Sequence, residues 1–216
     1  MCGIVGFQSK KATASDLRVL RKVISETVIR GKHASGIAWW QPDCSLQVKR
    51  AAVPITELLN KIDLSDYVFN GQISIISHAR YSTSDIKYNQ PLATKEIAVA
   101  HNGVVSQQSP ETWLSTYGYH CQTKNDSELL LKCLEQKDDP LEVFPDASIA
   151  AVVLHQDGRI ECIRNSRRPL WMGKIGYGIV YASTFDILNR AGVQNIQKVK
   201  SEVPEDLQRR CMNCQE

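Results

Sequence analysis

Two spacings of apolar residues alternate along this chain. Residues 14–29 place Leu17, Leu20, Val23, Ile24 and Val28 at helical intervals with no Gly or Pro. That pattern predicts an amphipathic helix with Ser15 as its N-cap, ending before Arg30-Gly31. Short apolar runs elsewhere read as strands: one directly behind Met1, then residues 36–40 and 46–53 as a hairpin turned at 41–44. Residues 72–77 and 97–100 are further strands, and each runs into a polar cluster containing a histidine. Residues 147–154, 159–164 and 178–182 are also β-rich, with Asp157-Gly158 as a hairpin turn. Helices are expected at 55–62 behind Pro54, at 110–116, at 126–134 capped by Asn125 or Asp126, and at 184–191. Strands and helices come in blocks, which predicts helices packed outside sheets. No repeat, low-complexity segment or linker interrupts the pattern.

Composition narrows this picture without adding chemistry. A chain of 216 residues forms one large domain or two small ones and buries a sizeable core. Its net charge of +3 is too small to indicate nucleic acid or a membrane surface. No window approaches the apolar run of about eighteen residues that a membrane span needs, and no secretory leader is evident. Seven scattered cysteines fit a reducing cytoplasm better than a disulfide framework. Cys211 and Cys214 form a single Cys-x-x-Cys pair in a tail at 201–216, short of the four ligands zinc takes.

Candidate chemistry gathers at the ends of the strands. A cysteine directly behind the initiator Met1 is small enough for the methionine to be trimmed, leaving Cys2 with both a thiol and a free α-amine. The amine titrates near 7.7–8.0, so roughly a third of it is an unprotonated base at pH ~7.5. One residue then supplies nucleophile and base together. His101-Asn102-Gly103 offers a side-chain amide and a glycine N–H, the donors a tetrahedral oxyanion needs. Arg80, in His78-Ala79-Arg80-Tyr81-Ser82-Thr83, can fork onto a carboxylate. The cluster from Thr123 to Glu128 puts a carboxylate at a helix start, where it can bind an ammonium. Taken singly, each of these also reads as an ordinary feature: a surface arginine, an Asn-Gly turn, a helix cap.

Taken together and in order, Cys-Gly-Ile-Val-Gly, Arg-Gly-x-x-x-x-Gly, His-x-Arg-Tyr-Ser-Thr, Asn-Gln-Pro, His-Asn-Gly and Asn-Asp-Ser-Glu resemble the glutaminase domain of class II, or N-terminal nucleophile, glutamine amidotransferases. Such domains occur in glucosamine 6-phosphate synthase and amidophosphoribosyltransferase. The resemblance runs from Cys2 to about residue 190 and takes in Arg168-Pro169-Leu170 with Gly173. It implies an α+β fold, a four-layer αββα sandwich of two antiparallel sheets, over residues 2–200. It further implies that Cys2 attacks the side-chain amide of L-glutamine, with Asn102 and the Gly103 N–H as oxyanion hole. Arg80, Tyr81 and Thr83 would hold the α-carboxylate and Asp126 the α-ammonium, with Arg30 in the loop beside the nucleophile. No metal or other cofactor is implied.

Two positions depart from the family pattern. His33 stands where an aspartate is usual, and Ser84-Asp85 follows Thr83 where His or Ser and then Gly are common. The resemblance also leaves too little chain for an ammonia-consuming domain, so the expected partner is a separate synthetase or transferase. Two other readings stand beside the leading one. One is a non-catalytic regulatory or binding subunit of the same fold; the other is an amidohydrolase acting on a different amide.

Overall fold

In the first strand, β1 (Gly3–Ser9), alternate residues face two different interiors. Val5 and Phe7 join a core with helices, while Ile4 joins a second core facing another sheet. The computed structural model describes residues 1–81, 89–165 and 167–201. Among these residues ten further strands follow: β2 (Ala34–Trp40), β3 (Leu46–Ala51), β4 (Ile73–Arg80), β5 (Leu92–Ala93), β6 (Ile97–His101), β7 (Ala150–His155), β8 (Ile160–Arg164), β9 (Trp171–Ile175), β10 (Gly178–Ala182) and β11 (Gln194–Lys198). They form a seven-stranded sheet in the order β11-β9-β10-β1-β4-β2-β3 and a four-stranded sheet in the order β5-β6-β7-β8. Every strand pairing in both sheets is antiparallel.

Three apolar clusters fill the three seams of an αββα sandwich. The first packs the large sheet against α1 (Ala14–Glu26), α2 (Ile55–Leu59) and α6 (Phe185–Ala191), through Leu20, Ile24, Leu58 and Leu188. On the other side, α3 (Trp113–Tyr117) and α4 (Ser127–Glu135) cover the small sheet, followed by the short helix α5 (Pro140–Val143). The middle seam joins the two sheets through Ile4, Ile76 and Val152 with Ala38, Ala98, Ala100 and Ala150. Its small residues let the sheets approach closely: a Cβ added to Gly6 would lie 3.3 Å from a Val152 methyl. Each fully buried Ile or Leu contributes about 1.5–3 kcal/mol, so these seams supply the main stabilisation. Among the described residues no helix is long and apolar enough to cross a membrane.

Several sequence expectations are corrected. Thr13, not Ser15, caps α1: its hydroxyl accepts the Asp16 N–H and the Asp16 side chain accepts the Thr13 N–H, closing a capping box. The strand expected at 72–77 continues to Arg80, because β4 lies between β1 and β2 and is buried along its whole length. The helix expected at 55–62 ends at Leu59, and the one expected at 110–116 splits into a 3₁₀ turn (Pro110–Thr112) and α3. β9 was foreshadowed only by resemblance and β11 not at all. β11 is a mostly exposed polar edge strand paired to β9 with a register shift, so it has no alternation to read. The turn at Asp157-Gly158 is present, with Gly158 at φ +82°.

Candidate active site

Antiparallel order brings the polar clusters to one end of the sandwich. β1 and β2 start there, β4 and β6 end there, and so does β10. The register Gly3↔Ala79 sets Cys2 beside Arg80, and Ala34↔Arg80 sets the loop after Arg30 on the other flank of the same strand. On β4 the residues alternating with Ile73, Ile75 and Ala79 are Ile76, His78 and Arg80, so the last two look toward the seam between the sheets. By the same parity Cys2 falls on the seam side of β1, together with Ile4.

The hydrogen bonds bear this out. The Cys2 backbone nitrogen donates to Asn102 Oδ1 at 3.1 Å, bridging the start of β1 to the turn after β6. Arg30 Nε donates to the Cys2 carbonyl at 2.8 Å. Asn102 is buried and its Nδ2 meets no acceptor among the described residues; Arg30 Nη2 is likewise buried and unpartnered. Burial chiefly lowers the Arg30 pKa; a Cys2 thiolate opposes the shift and Arg168 adds to it. A half-buried thiol thus stands beside a buried amide donor with free capacity. Such an arrangement suits attack on a carbonyl whose oxygen becomes negative.

The glycines of these motifs are fixed by close approach. At Gly103 an added Cβ would fall 1.7 Å from the Ser148 carbonyl oxygen. On either side, the Asn102 N–H donates to Ala150 O and the Val104 N–H to Ser148 O, which pins the turn to the start of β7. Gly31 lies on the backbone of Arg80, where a Cβ would come within 2.3 Å of the carbonyl carbon, and the His33 N–H donates to Arg80 O at 3.0 Å. Gly36 lies against Gln90 O, and Asn89 Nδ2 donates to Ser35 O. Asn-Gln-Pro is therefore a buttress for the strand after the arginine-glycine loop.

A buried network ties this turn to α4. Gln90 Oε1 accepts the His101 N–H at 2.7 Å, and its amide nitrogen donates to Ser127 Oγ at 3.0 Å. Ser127 Oγ lies 2.9 Å from His101 Nδ1, and His101 Nε2 lies 3.3 Å from Ser148 O. Burial pushes the His101 pKa down, so the ring is neutral and one tautomer satisfies both contacts. At the head of α4, Asp126 Oδ2 accepts the Val105 N–H at 2.7 Å, and Asn125 Oδ1 accepts the Ser127 N–H. The nearby Glu128 is committed elsewhere: its oxygens accept the N–H groups of Gln122 and Thr123. Of the carboxylates in this cluster, Asp126 is the one that lies next to the Asn102-Gly103 turn.

Sequence reading placed Cys2, Arg30, Arg80, Asn102, Gly103 and Asp126 in one site, and the structure brings all six to one end. Tyr81 borders the group, about half exposed, with its ring 4.9 Å from that of His33. Thr83 and Ser84-Asp85, like Cys211 and Cys214, lie outside the described residues. Gln90 and Ser127 stand in the motifs Asn-Gln-Pro and Asn-Asp-Ser-Glu but carried no supporting role in the sequence, and Ser148 was missed outright, since nothing local marks a serine in a β-rich run. Arg168 also reaches the site: its Nε donates to Ser148 Oγ at 3.1 Å, and its Nη1 lies 3.7 Å from Met1 Sδ. Among the described residues no group of three or more His, Cys, Asp or Glu is placed to hold a metal. A cavity of about 580 Å³ lined by Glu96, Asp138, His155 and Glu161 includes none of the six site residues.

No protein-family model matches the chain. Two curated relatives do. A glutamine–fructose-6-phosphate aminotransferase (isomerizing) from Clostridium acetobutylicum is 31% identical over 137 residues, covering 60% of this chain and 21% of that enzyme. One of the same name from Bartonella quintana is 29% identical over 136 residues, with the same coverage. The chain therefore spans about a fifth of the length of the curated relatives it matches. Among solved structures, glutamine phosphoribosylpyrophosphate amidotransferase from B. subtilis matches with a TM-score of 0.69 at 21% identity, over 93% of this chain and 46% of that one. A glutamine aminotransferase class-II domain protein from Silicibacter pomeroyi matches with a TM-score of 0.56 at 14% identity, over 93% and 92%.

Proposed function

We propose that residues 2–200 form a class II glutamine amidotransferase domain, a reading supported by the two glutamine–fructose-6-phosphate aminotransferase relatives, and that it hydrolyses the side-chain amide of L-glutamine to glutamate and ammonia. The observation that carries this reading is the pairing of Cys2 with Asn102, whose oxygen holds the Cys2 nitrogen while its amide nitrogen is buried and unpaired. Removal of Met1 turns that backbone nitrogen into an α-amine. The amine takes the thiol proton, and sulfur attacks the glutamine Cδ. The negative oxygen of the tetrahedral intermediate is received by Asn102 Nδ2 and the Gly103 N–H. Collapse of that intermediate breaks the C–N bond, and the α-ammonium gives its proton to the leaving nitrogen, which departs as ammonia. Water, deprotonated by the amine, then cleaves the γ-glutamyl thioester and frees Cys2.

Selectivity for the amino-acid head rests on two charges. Arg80, with Tyr81 and Thr83, holds the α-carboxylate, and Asp126 the α-ammonium. A site built to pair both ends rejects amides lacking them far more strongly than a pocket of matching size. The ammonia passes to a separate synthetase or transferase, and the protein works in the cytoplasm; the described cysteines, none of them in a disulfide, support a reducing compartment.

The test is intact mass after incubation with a glutamine-analogue electrophile such as a diazo-oxo-norleucine, alongside assay of glutamate release. Loss of Met1 and one adduct, both adduct and turnover absent in Cys2→Ala, is the expected result. Loss of Met1 with no adduct and no glutamate overturns it.

A further inference from the structure

Two guanidiniums converge on Cys2 from separate parts of the chain. Arg30, between the 3₁₀ turn Thr27–Ile29 and β2, holds the Cys2 carbonyl through Nε. That oxygen and the Cys2 nitrogen belong to one residue, so the Arg30 charge stands close to the nitrogen as well. Arg168, just before β9, is aimed by its bond to Ser148 Oγ and reaches the Met1 side chain, the side from which Met1 must leave. The two cations are near enough for Arg168 to disfavour the charge on Arg30. Neither has an ion-pair partner among the described residues, where the carboxylates of Glu26, Glu111, Glu135, Asp146 and Glu161 pair with other bases.

Among the described residues, Asp126 is the carboxylate that the site brings to this end, against the two guanidiniums of Arg30 and Arg168. His78 and His101 are buried and held neutral. Asp126 approaches from α4 across the His101–Ser127 contact, with Oδ2 on the Val105 N–H. Asn102 Oδ1 accepts from the Cys2 nitrogen and orients it; the bond is stronger to an ammonium, so the two guanidiniums act against this contact.

Resting on the function proposed above, we propose that Arg168, acting with Arg30, is a positioning residue that keeps the Cys2 α-amine uncharged once Met1 is gone. A neighbouring cation disfavours an ammonium, and the effect grows where water is excluded. An amine of ordinary basicity, near 7.7–8.0, is only about one-seventh free base at pH 7. Two guanidiniums with no ion-pair partner among the described residues bring it to the form that accepts the thiol proton. The chemistry then starts from a neutral thiol and a neutral amine in one residue.

The test follows the α-amine directly in the processed protein labelled with ¹⁵N-cysteine, by its ¹⁵N signal against pH. Its midpoint is expected below the ordinary N-terminal range, and the acid limb of kcat/KM for glutamine should follow it. Arg168→Met should raise both by about half to one pH unit, the scale of one nearby charge, and Arg168→Lys should restore them. In the unaltered protein, salt raised to about 1 M should also move the midpoint up by screening. A purely structural role would lower kcat and leave the midpoint in place. An unaltered midpoint within or above the ordinary range, or one that ignores both Arg168→Met and salt, overturns the proposal. If Arg168→Met does not fold, the salt titration decides alone. A depressed, Arg168-dependent midpoint in a chain that leaves glutamine intact overturns the proposed function and not the charge setting.

Discussion

Asn102 grips Cys2 with one end of its amide and leaves the other end free: Oδ1 accepts the Cys2 backbone nitrogen at 3.1 Å, while the buried Nδ2 has no partner among the described residues. A buried donor left unpaired costs about 1–3 kcal/mol. The cost is recovered if an oxyanion arrives in the transition state, which is the differential binding that accelerates a reaction. Asn102→Asp keeps an acceptor for the Cys2 nitrogen and removes the donor. We expect kcat for glutamine hydrolysis to fall by about 10²–10³, the usual loss for one such donor, with KM changed far less. Steady-state kinetics on the processed protein checks this, and a KM effect without a kcat effect would count against the assignment.

Gly103 and Gly31 make a second prediction, about stability. Each lies where a Cβ would overlap backbone, the Ser148 carbonyl in one case and Arg80 in the other. Backbone gives way less easily than a side-chain tip, so Gly103→Ala and Gly31→Ala should each destabilise the domain by about 1–3 kcal/mol or more. Gly6→Ala meets only Val152 and Ile160 side-chain atoms at 3.3 Å and beyond, and should cost less. Urea denaturation of the three variants orders them.

Asp126 separates charge from hydrogen bonding. Asp126→Asn keeps an oxygen for the Val105 N–H and so preserves the turn. It removes the negative charge proposed to face the substrate ammonium. A hydrogen bond to a charged group contributes about 1.5–3 kcal/mol, so kcat/KM should fall by about 10- to 100-fold, mostly through KM. Circular dichroism and melting temperature should barely move. A variant with unchanged KM would place the ammonium elsewhere.

Much of this site could be read from the sequence because its residues sit at chain positions that antiparallel pairing must bring together. Cys2 precedes β1 and Arg80 ends β4, its antiparallel neighbour, so that pairing sets the two side by side, and the Cys2–Asn102 bond joins the end of β6 in the other sheet to the same place. The supports were not legible. Ser127 reads as the second residue of a helix cap, and only the fold shows its hydroxyl between His101 and Gln90. Ser148 gives no local signal, yet its carbonyl is what makes residue 103 a glycine. Glu128 had no role in the sequence reading, and only the fold shows that its carboxylate anchors the loop at 122–123. β11 was missed because a polar edge strand lacks both periodicities.

His78 gives the last prediction, a pH dependence of stability. Its ring is fully buried in the middle of the large sheet, opposite Ile4 and Gly36, with both nitrogens unpartnered among the described residues. Burial, reinforced by the nearby Arg80 charge, pushes its pKa down from 6.5 to about 3. The unfolded chain takes up a proton as pH falls through about 6.5, and the folded protein refuses it until about 3. Stability is therefore unaffected by this group above about 6.5 and declines steadily below it, by about 1.4 kcal/mol per pH unit until the folded pKa is reached. By pH 5 the loss is on the order of 2 kcal/mol, a sizeable share of a domain's net stability. His101, lowered by the same burial, adds to the decline in the same direction. His78→Gln, which cannot titrate, should flatten the slope between pH 6.5 and 4 whatever it does to stability at pH 7. Urea melts at pH 7, 6, 5 and 4 measure both slopes. Equal slopes in the two proteins would mean that His78 does charge in the folded state, and that the seam between the sheets is wetter than its packing implies.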